Sequence, residues 1–322
     1  MVYDPTVEEK LRKMFALRNL PWVDSQCRQA FRPASAKLID NRNGTAPGLH
    51  CEKGGKHVIL MPGPRGEFGP MLQGPVRQIL QQLAGDEVIV SRILKVCGLG
   101  ESIVEDRVRP LLANPNPSVA PYAKLGEVHL RVTAKAANHT EAEALLAPTI
   151  AAIKAELGDA VFGEGEDTLE SSIVALLKER GKTVAVAESI TGGGVGARLT
   201  SIPGASAVVR GGVIAYQSEV KQKLLNVDDA AAKDPVSAHC AEQMAQGARA
   251  ALNADFAVSL TGNAGPDVDA GGKPVGLVYV CVASPSRTTT EEYKYRATRA
   301  DIRRRAEQAA LNLLRNEILA TS

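Results

Sequence analysis

The sequence lacks the usual features of a secreted, membrane-spanning or zinc-stapled protein. Its five cysteines are scattered and contain no Cys-x-x-Cys pair, which favours neither a disulfide framework nor a structural zinc site. Such cysteine usage suits a reducing cytosol. No apolar run approaches the ~20 residues needed to span a bilayer, and a charged helical pattern follows Met1 in place of a signal peptide. We therefore expect a cytoplasmic protein with no membrane partner.

The chain also lacks an excess of charge of either sign. Its 38 Lys and Arg against 36 Asp and Glu leave a formal net charge of +2, too little to predict nucleic acid as the main partner. The basic run Arg303–Arg305 lies in an Ala- and Leu-rich helical pattern, and we interpret it as a solvated helix face. A content of 44% apolar and 23% charged residues is typical of soluble globular proteins.

The 322 residues are enough for two or three domains, and three segments can be distinguished. Residues 1–90 contain a clear strand at 57–61 and a predicted helix at about 68–83. Because one strand cannot build a parallel sheet, we expect this segment to be incomplete or to pair with a second copy, as in a homodimer. Residues 91–163 predict a small α+β module. Residues 164–322 alternate strand with helix and predict a layered α/β domain.

The third segment carries candidate chemistry where its predicted strands end. In open α/β sheets, functional sites gather at the carboxyl ends of strands. Three such ends run into polar or glycine-rich turns, at 188–194, 216–221 and 261–266. We expect these three turns to converge on one edge of the sheet.

Ser189 lies in the first of these turns, three residues before Gly192–Gly194 and a predicted helix. Free N–H groups at a helix start, with glycines that allow close approach, can bind a phosphate or stabilise an oxyanion. A simpler alternative is an ordinary helix cap, since serine is common there. A dinucleotide site is a third alternative, because Gly192, Gly194 and Ala197 fit G-x-G-x-x-A. The acid expected about 20 residues later is absent from the sequence around Arg210.

A nucleophilic serine needs a base, and histidine is scarce here. None of the five histidines falls in the glycine-rich turns, so a Ser-His-Asp triad is not supported, whereas a Ser-Lys pair is available. Lys221 follows Tyr216 by five residues, and both can reach one cleft if Tyr216 ends a strand and Lys221 lies in the next turn. A lysine base needs a lowered pKa. The alternative for Lys221 is an ordinary solvated side chain.

Several motifs of the third segment occur in a recognisable order. They are Ala187–Gly193, Arg198–Thr200, Ile202–Ser206, Gly211–Tyr216, Ser218–Lys221, Thr261–Pro266 and Lys273–Gly276. In sequence and spacing this set resembles the C-terminal domain of the CinA family. The resemblance implies nicotinamide-nucleotide amidase activity, which converts nicotinamide mononucleotide and water to nicotinic acid mononucleotide and ammonia without a cofactor or metal.

The same resemblance implies roles for individual residues. Ser189 would be the nucleophile, and Tyr216 and Lys221 would activate it and handle protons. The residues implied in binding the nucleotide are Thr191, Gly192, Gly193, Gly262, Asn263, Ala264, Gly265 and, as a phosphate partner, Arg299. Two positions depart from the family pattern: Ile190 stands where Cys is usual, which predicts a packing change, and Asn263 replaces an apolar residue, which adds a polar group where substrate is expected.

The first segment resembles another part of the same family. Asn43–Gly48 and Met61–Phe68 are similar to the rear of the CinA N-terminal domain, which resembles molybdopterin-binding domains and is linked to metal-dependent ADP-ribose pyrophosphatase activity. The front of that domain, with its Gly-Gly-x-Gly-Pro-Thr signature, is absent from this sequence. We expect the pyrophosphatase activity, and with it any need for a divalent metal, to be lost or impaired. A non-catalytic regulatory protein remains a further alternative.

Overall fold

A computed structural model describes residues 1–85 and 87–321 of the chain. They form two compact units, Met1–Glu87 and Val88–Ser322, and each is described by itself. The predicted mixed α/β class is confirmed in both units, which combine helices with small sheets.

The first unit contains short strands and three α-helices. In chain order these are β1 (Val2–Tyr3), α1 (Pro5–Leu17), β2 (Phe31–Arg32), β3 (Lys37–Ile39), β4 (Gly48–Lys53), β5 (Lys56–Leu60), α2 (Arg65–Met71) and α3 (Arg77–Ala84). β1 pairs with β2, and β3, β4 and β5 form an antiparallel sheet. The prediction of a single strand was therefore wrong for this unit.

Two local features explain the differences from the predicted first segment. Gly54 and Gly55 adopt positive φ angles of 58° and 71°, as a two-residue hairpin turn requires. This turn brings β5 alongside the polar strand β4, with which it pairs. The single helix predicted over 68–83 is interrupted by a π-helical turn at Leu72–Val76. Gly74 there is non-helical and Pro75 lacks the N–H that would continue the helix.

The second unit begins with a four-stranded module. Its elements are β6 (Val88–Cys97), α4 (Glu101–Leu112), β7 (Ser118–Lys124), β8 (Glu127–Ala136), α5 (His139–Leu157) and β9 (Val161–Glu164). The sheet is antiparallel with the order β7-β8-β6-β9. A β-α-β-β-α-β chain in this order is ferredoxin-like. The apolar residues of its sheet face pack with those of α4 and α5 in one core.

The remainder of the second unit is a layered α/β domain. Its elements are α6 (Leu169–Glu179), β10 (Val184–Glu188), α7 (Gly194–Thr200), β11 (Val209–Ile214), α8 (Ser218–Leu225), α9 (Asp229–Lys233), α10 (Ala238–Ala251), β12 (Phe256–Gly262), β13 (Leu277–Ala283), β14 (Thr288–Lys294) and α11 (Arg299–Ala320). The sheet order is β11-β10-β12-β13-β14. The first three strands are parallel and the last two antiparallel to their neighbours.

Alternating side chains give this sheet two different faces. Val184, Val186 and other large residues on one face pack with α6, α7 and α11. Ala185 and Ala187 on the other face pack with α8 and α10. Successive side chains of a strand point to opposite faces. The V-A-V-A pattern of β10 therefore places valines in the core with α6, α7 and α11, and places alanines on the other face, where their small size lets α8 and α10 pack close to the sheet.

Candidate active site

The carboxyl ends of three parallel strands meet at the site. Glu188 at the end of β10 is in register with Ile214 of β11 and with Leu260 of β12. The predicted convergence of the three turns on one sheet edge is thereby confirmed. From β10 the chain continues to β11 on one side, and β12 then returns to the other side of β10. Such a reversal of strand order is where ligands bind in open α/β sheets.

Ser189 and Lys221 face each other beneath this edge. Ser189 is the first residue after β10, is 8% exposed, and donates its N–H to the carbonyl of Leu260 at 3.0 Å. The Nζ of Lys221 lies 3.4 Å from Ser189 Oγ, and Lys221 is only 2% exposed. The prediction that Lys221 lies in a turn was wrong, because it lies in α8. Its burial also rules out the alternative of a solvated lysine.

The surroundings of Lys221 favour its neutral amine. Burial lowers the pKa of Lys221, and the neighbouring Cys240 and Tyr216 oppose this shift only in part. Burial likewise raises the pKa of the Cys240 thiol to about 11, so this neighbour carries no charge near neutral pH. No carboxylate of the described residues forms an ion pair with Lys221. A desolvated amine without a counter-ion can accept a proton from a nearby hydroxyl.

Tyr216 and Arg299 lie at the rim of the same site. Tyr216 comes two residues after β11 and is 57% exposed. Arg299, at the start of α11, donates from Nη2 to the Tyr216 hydroxyl at 3.3 Å and from Nη1 to the Gly265 carbonyl at 2.6 Å. These two hydrogen bonds join the end of β11, the loop after β12 and the start of α11.

A pocket of about 330 Å³ lies between these elements. Eight of the eleven predicted site residues line it: Ser189, Tyr216, Lys221, Gly262, Asn263, Ala264, Gly265 and Arg299. Their roles in catalysis and binding remain predictions. The other three, Thr191, Gly192 and Gly193, do not line it. The pocket is therefore bounded by the ends of β11 and β12 and the start of α11, and Gly192 and Gly193 lie outside it.

Glu188, which sequence reasoning did not select, explains why the glycine turn is unavailable. Its side chain is 1% exposed. Its Oε2 accepts hydrogen bonds from Thr191 Oγ1 at 2.6 Å and from the N–H groups of Gly193 at 3.0 Å and Val195 at 3.1 Å. Its Oε1 accepts from the Gly196 N–H at 2.7 Å. The N–H groups that could have bound a phosphate therefore already bind a carboxylate of the chain.

A signal for Glu188 was present in the sequence. It is the lone acid at the end of an otherwise apolar strand, directly before the serine and the glycine turn. An acid at this position can bind the first N–H groups of the following helix. Ser189 itself caps no helix, since its Oγ is bonded to Lys221.

Arg303 is a second residue whose place beside the site was not predicted from the sequence. It donates from Nε to the Ile190 carbonyl at 3.2 Å and from Nη2 to the Thr191 carbonyl at 2.6 Å. The prediction of a solvated face was therefore wrong for Arg303, which is half-buried, whereas Arg304 and Arg305 are exposed. The local helix pattern shows the basic run but not which member turns towards the sheet edge.

The two departures from the family pattern have structural explanations. Ile190 is 5% exposed and belongs to the large-residue core, and a Cβ on Gly262 would come within 2.9 Å of Ile190 Cδ1. Asn263 uses its side chain within its own loop. Its Oδ1 accepts from the Gly265 N–H at 2.8 Å, and its Nδ2 donates to the carbonyls of Asp267 at 2.9 Å and Lys273 at 3.1 Å.

Residues 1–85 and 87–321 contain neither a group of side chains suited to a metal ion nor a helix suited to a bilayer. No three His, Cys, Asp or Glu side chains of these residues are grouped so that they could hold a metal ion. No helix among them combines the length and apolar character needed to cross a bilayer.

Comparison with known proteins identifies the family. Residues 166–318 match the CinA C-terminal domain, and residues 91–163 match the damage-inducible protein CinA KH domain. A putative competence-damage inducible protein of Moorella thermoacetica is 42% identical over 320 residues, which cover 98% of this chain and 77% of that protein. The chain belongs to the CinA family. A CinA-like protein of Dictyoglomus turgidum is 40% identical over 314 residues, which cover 97% of this chain and 76% of that relative.

A solved structure is also similar to this CinA-family chain. The competence/damage inducible protein CihA of Agrobacterium tumefaciens is 36% identical, with a TM-score of 0.44, covering 45% of this chain and 91% of that one.

The name of the matched KH domain needs one qualification. KH domains hold nucleic acid with a G-x-x-G loop, and residues 91–163 contain no such sequence and have the ferredoxin-like strand order.

Proposed function

We propose that this CinA-family chain is an amidohydrolase that converts nicotinamide mononucleotide and water to nicotinic acid mononucleotide and ammonia. The observation that carries the proposal is the buried amine of Lys221, 3.4 Å from the hydroxyl of Ser189. A serine hydroxyl becomes an effective nucleophile when a neighbouring base removes its proton. The lowered pKa of Lys221 suits it to that role near neutral pH.

The proposed reaction proceeds by acylation and deacylation of Ser189. Lys221 accepts the proton of the hydroxyl as Oγ attacks the carboxamide carbon, and the carbonyl oxygen becomes negatively charged. When the carbon–nitrogen bond breaks, the ammonium of Lys221 returns a proton to the leaving ammonia. Water then attacks the acyl-serine with Lys221 again as base, which releases the carboxylate and restores Ser189. No cofactor takes part in these steps.

The rim of the pocket suits a mononucleotide. Arg299 brings a guanidinium to the opening beside Tyr216, and arginine is a preferred partner of phosphate groups. The phenol of Tyr216 accepts a hydrogen bond from this guanidinium and lines the same pocket as the buried amine of Lys221. In this proposal Tyr216 orients the substrate and passes protons between the pocket and solvent.

Ammonia release tests the proposal. The wild-type chain should release ammonia from nicotinamide mononucleotide, and Ser189→Ala should lower kcat by about 10³-fold or more. Ser206→Ala removes an exposed hydroxyl of the same domain outside the pocket and should leave kcat unchanged. A wild-type chain without activity, or an active Ser189→Ala variant, would contradict the proposal. Cleavage of ADP-ribose with added divalent metal, measured on the same samples, tests the pyrophosphatase alternative.

A further inference from the structure

The carboxylate of Glu188 is buried without a cation. Four donors of the turn that follows it, one hydroxyl and three N–H groups, point at its two oxygens. Among the described residues, no Lys or Arg forms an ion pair with it. A buried charge is costly unless hydrogen bonds replace its hydration. Here four hydrogen bonds replace it, at a position where an apolar residue would continue the strand.

The peptide groups next to Ser189 are held at their carbonyl ends. The Ser189 carbonyl accepts from the Gly192 N–H at 3.2 Å, and the Ile190 carbonyl accepts from Arg303 Nε at 3.2 Å. In a planar trans peptide, the N–H points away from the carbonyl of the same unit. The N–H groups of Ile190 and Thr191 therefore point away from Gly192 and Arg303 respectively.

Among the hydrogen bonds of residues 1–85 and 87–321, neither of these two N–H groups is a donor. Thr191 is nevertheless fully buried, and Ile190 is only 5% exposed. Buried N–H groups are rarely left unpaired. Ile190 also lines the pocket that contains Ser189. Unpaired N–H groups directly after a nucleophile are typical of an oxyanion hole.

From these contacts we propose that Glu188 is a positioning residue, which holds the turn so that the N–H of Ile190, the residue at the pocket, stays free to bind the oxyanion formed on Ser189. The inference rests on the proposed hydrolytic function of this site. Glu188 engages the Thr191 side chain and the N–H groups of Gly193, Val195 and Gly196, and so fixes the far end of the turn. Without the carboxylate these donors turn to other acceptors, and the peptide units at 190 and 191 rotate with them.

The expected consequence is a loss of kcat with little change in KM. The negative oxygen exists only in the transition state and the tetrahedral intermediate, so misplaced donors weaken transition-state binding and leave substrate binding intact. A displacement of about 1 Å, or the loss of one oxyanion donor, lowers the rate about 100-fold. Lys221 does not contact Glu188, so the pH midpoint of kcat should not move.

Glu188→Gln is the main test variant, and Glu307→Gln is its matched control. Glutamine keeps the size of the side chain, but its NH2 group cannot accept from the N–H of the turn. Glu307 lies against the same turn, with Oε1 only 2.2 Å from where a Cβ on Gly194 would stand. Glu307→Gln therefore removes a negative charge from the same neighbourhood without removing an acceptor from the turn. Glu188→Asp keeps the charge but is shorter by one methylene, and it carries the test if the glutamine variant does not fold.

Two rates are measured on folded protein: ammonia release from nicotinamide mononucleotide, and phosphonylation of Ser189 by an alkyl fluorophosphonate. In the second reaction a P–O bond forms to Oγ, the P–F bond breaks, fluoride leaves and the serine proton passes to Lys221. The phosphonyl oxygen requires the same donors as the oxyanion. We expect Glu188→Gln and Glu188→Asp to lower both rates about 100-fold, KM to change less than about twofold, and Glu307→Gln to match the wild type.

The outcomes separate this inference from the proposed function. If the wild type releases no ammonia but is phosphonylated about 100-fold faster than Glu188→Gln, the positioning role stands and the substrate is wrong. Equal phosphonylation of the wild type and Glu188→Gln overturns the positioning role, whatever the ammonia assay gives. A wild type that is not phosphonylated at Ser189, a Glu188→Asp variant with full kcat, or an equal loss in Glu307→Gln overturns it as well.

Discussion

Replacing Lys221 by methionine should stabilise the protein while it abolishes hydrolysis. The amine of Lys221 is 2% exposed and its single hydrogen bond, to Ser189, is 3.4 Å long. Burial therefore disfavours its charged form and lowers its pKa from the ordinary 10.5. Each pKa unit by which folding lowers the pKa of this amine reduces the free energy of unfolding by about 1.4 kcal/mol, as long as the amine is protonated in both states. Methionine fills a similar volume without the charge.

The sign of the effect depends on pH in a defined way. Because the folded pKa lies below the unfolded value, the folded state binds fewer protons than the unfolded state between the two values. The destabilisation is complete below the folded pKa, and it disappears as the pH rises from the folded pKa to the unfolded value. At pH 7 we expect Lys221→Met to gain about 1–3 kcal/mol. A domain of this size gains about 2–4 °C of Tm for each kcal/mol.

Thermal unfolding followed by circular dichroism, at pH 7 and at pH 10, measures this difference. The Tm of Lys221→Met should exceed that of the wild type by more at pH 7 than at pH 10. Lys223→Met is the matched control, because it removes an exposed amine from the same helix α8 and should give no pH-dependent difference. Two results would refute the reasoning. One is a Lys221→Met variant whose Tm at pH 7 is lower than that of the wild type. The other is a difference in Tm between variant and wild type that is the same at pH 7 and pH 10.

Three further predictions concern the same pocket. The kcat of the wild type should rise with pH to a midpoint below 10.5, the ordinary pKa of lysine, because only the neutral amine of Lys221 accepts the serine proton; ammonia release between pH 6 and pH 10 measures it, and a rate that does not change with pH contradicts it. In steady-state assays, Arg299→Gln should raise the KM for nicotinamide mononucleotide about 10-fold. The KM for nicotinamide riboside, which lacks the phosphate, should not change. Asn263→Ala loses three hydrogen bonds of its loop, so amide exchange at 263–273 should accelerate while exchange in β10 stays as in the wild type.

The sequence allowed prediction of those parts of the site that local signals encode. An apolar run followed by glycine or a polar turn marks the carboxyl end of a strand, and three such ends at 188–194, 216–221 and 261–266 were sufficient to predict a shared edge. Helices connect β10 to β11 and β11 to β12, as is usual between parallel strands, and β10 pairs in parallel with both neighbours.

The environment of Lys221 could not be predicted in this way, because it depends on contacts between distant segments. Leu225 of α8 packs with Met244 of α10 and with Ala187 of β10, and this packing buries one face of α8 with Lys221 on it. The alternation of Val and Ala in β10 indicates that one face is small, but not which helix covers it. The hairpin of β4 and β5 was missed for a related reason: β4 is polar, and only its pairing reveals it as a strand.

Half of the buried polar or charged residues of the layered domain lie where chemistry is proposed. Of the ten among its described residues, five lie at the carboxyl edge of β10 and β12 or directly beneath it: Glu188, Ser189, Thr191, Lys221 and Thr261. Burial of polar groups lowers stability unless hydrogen bonds compensate fully. Compensation is full for the carboxylate of Glu188 but weak for the amine of Lys221, whose one hydrogen bond is long. An apolar group would be more stable at this position, so the amine beside Ser189 is best explained by the role of base that we propose for it.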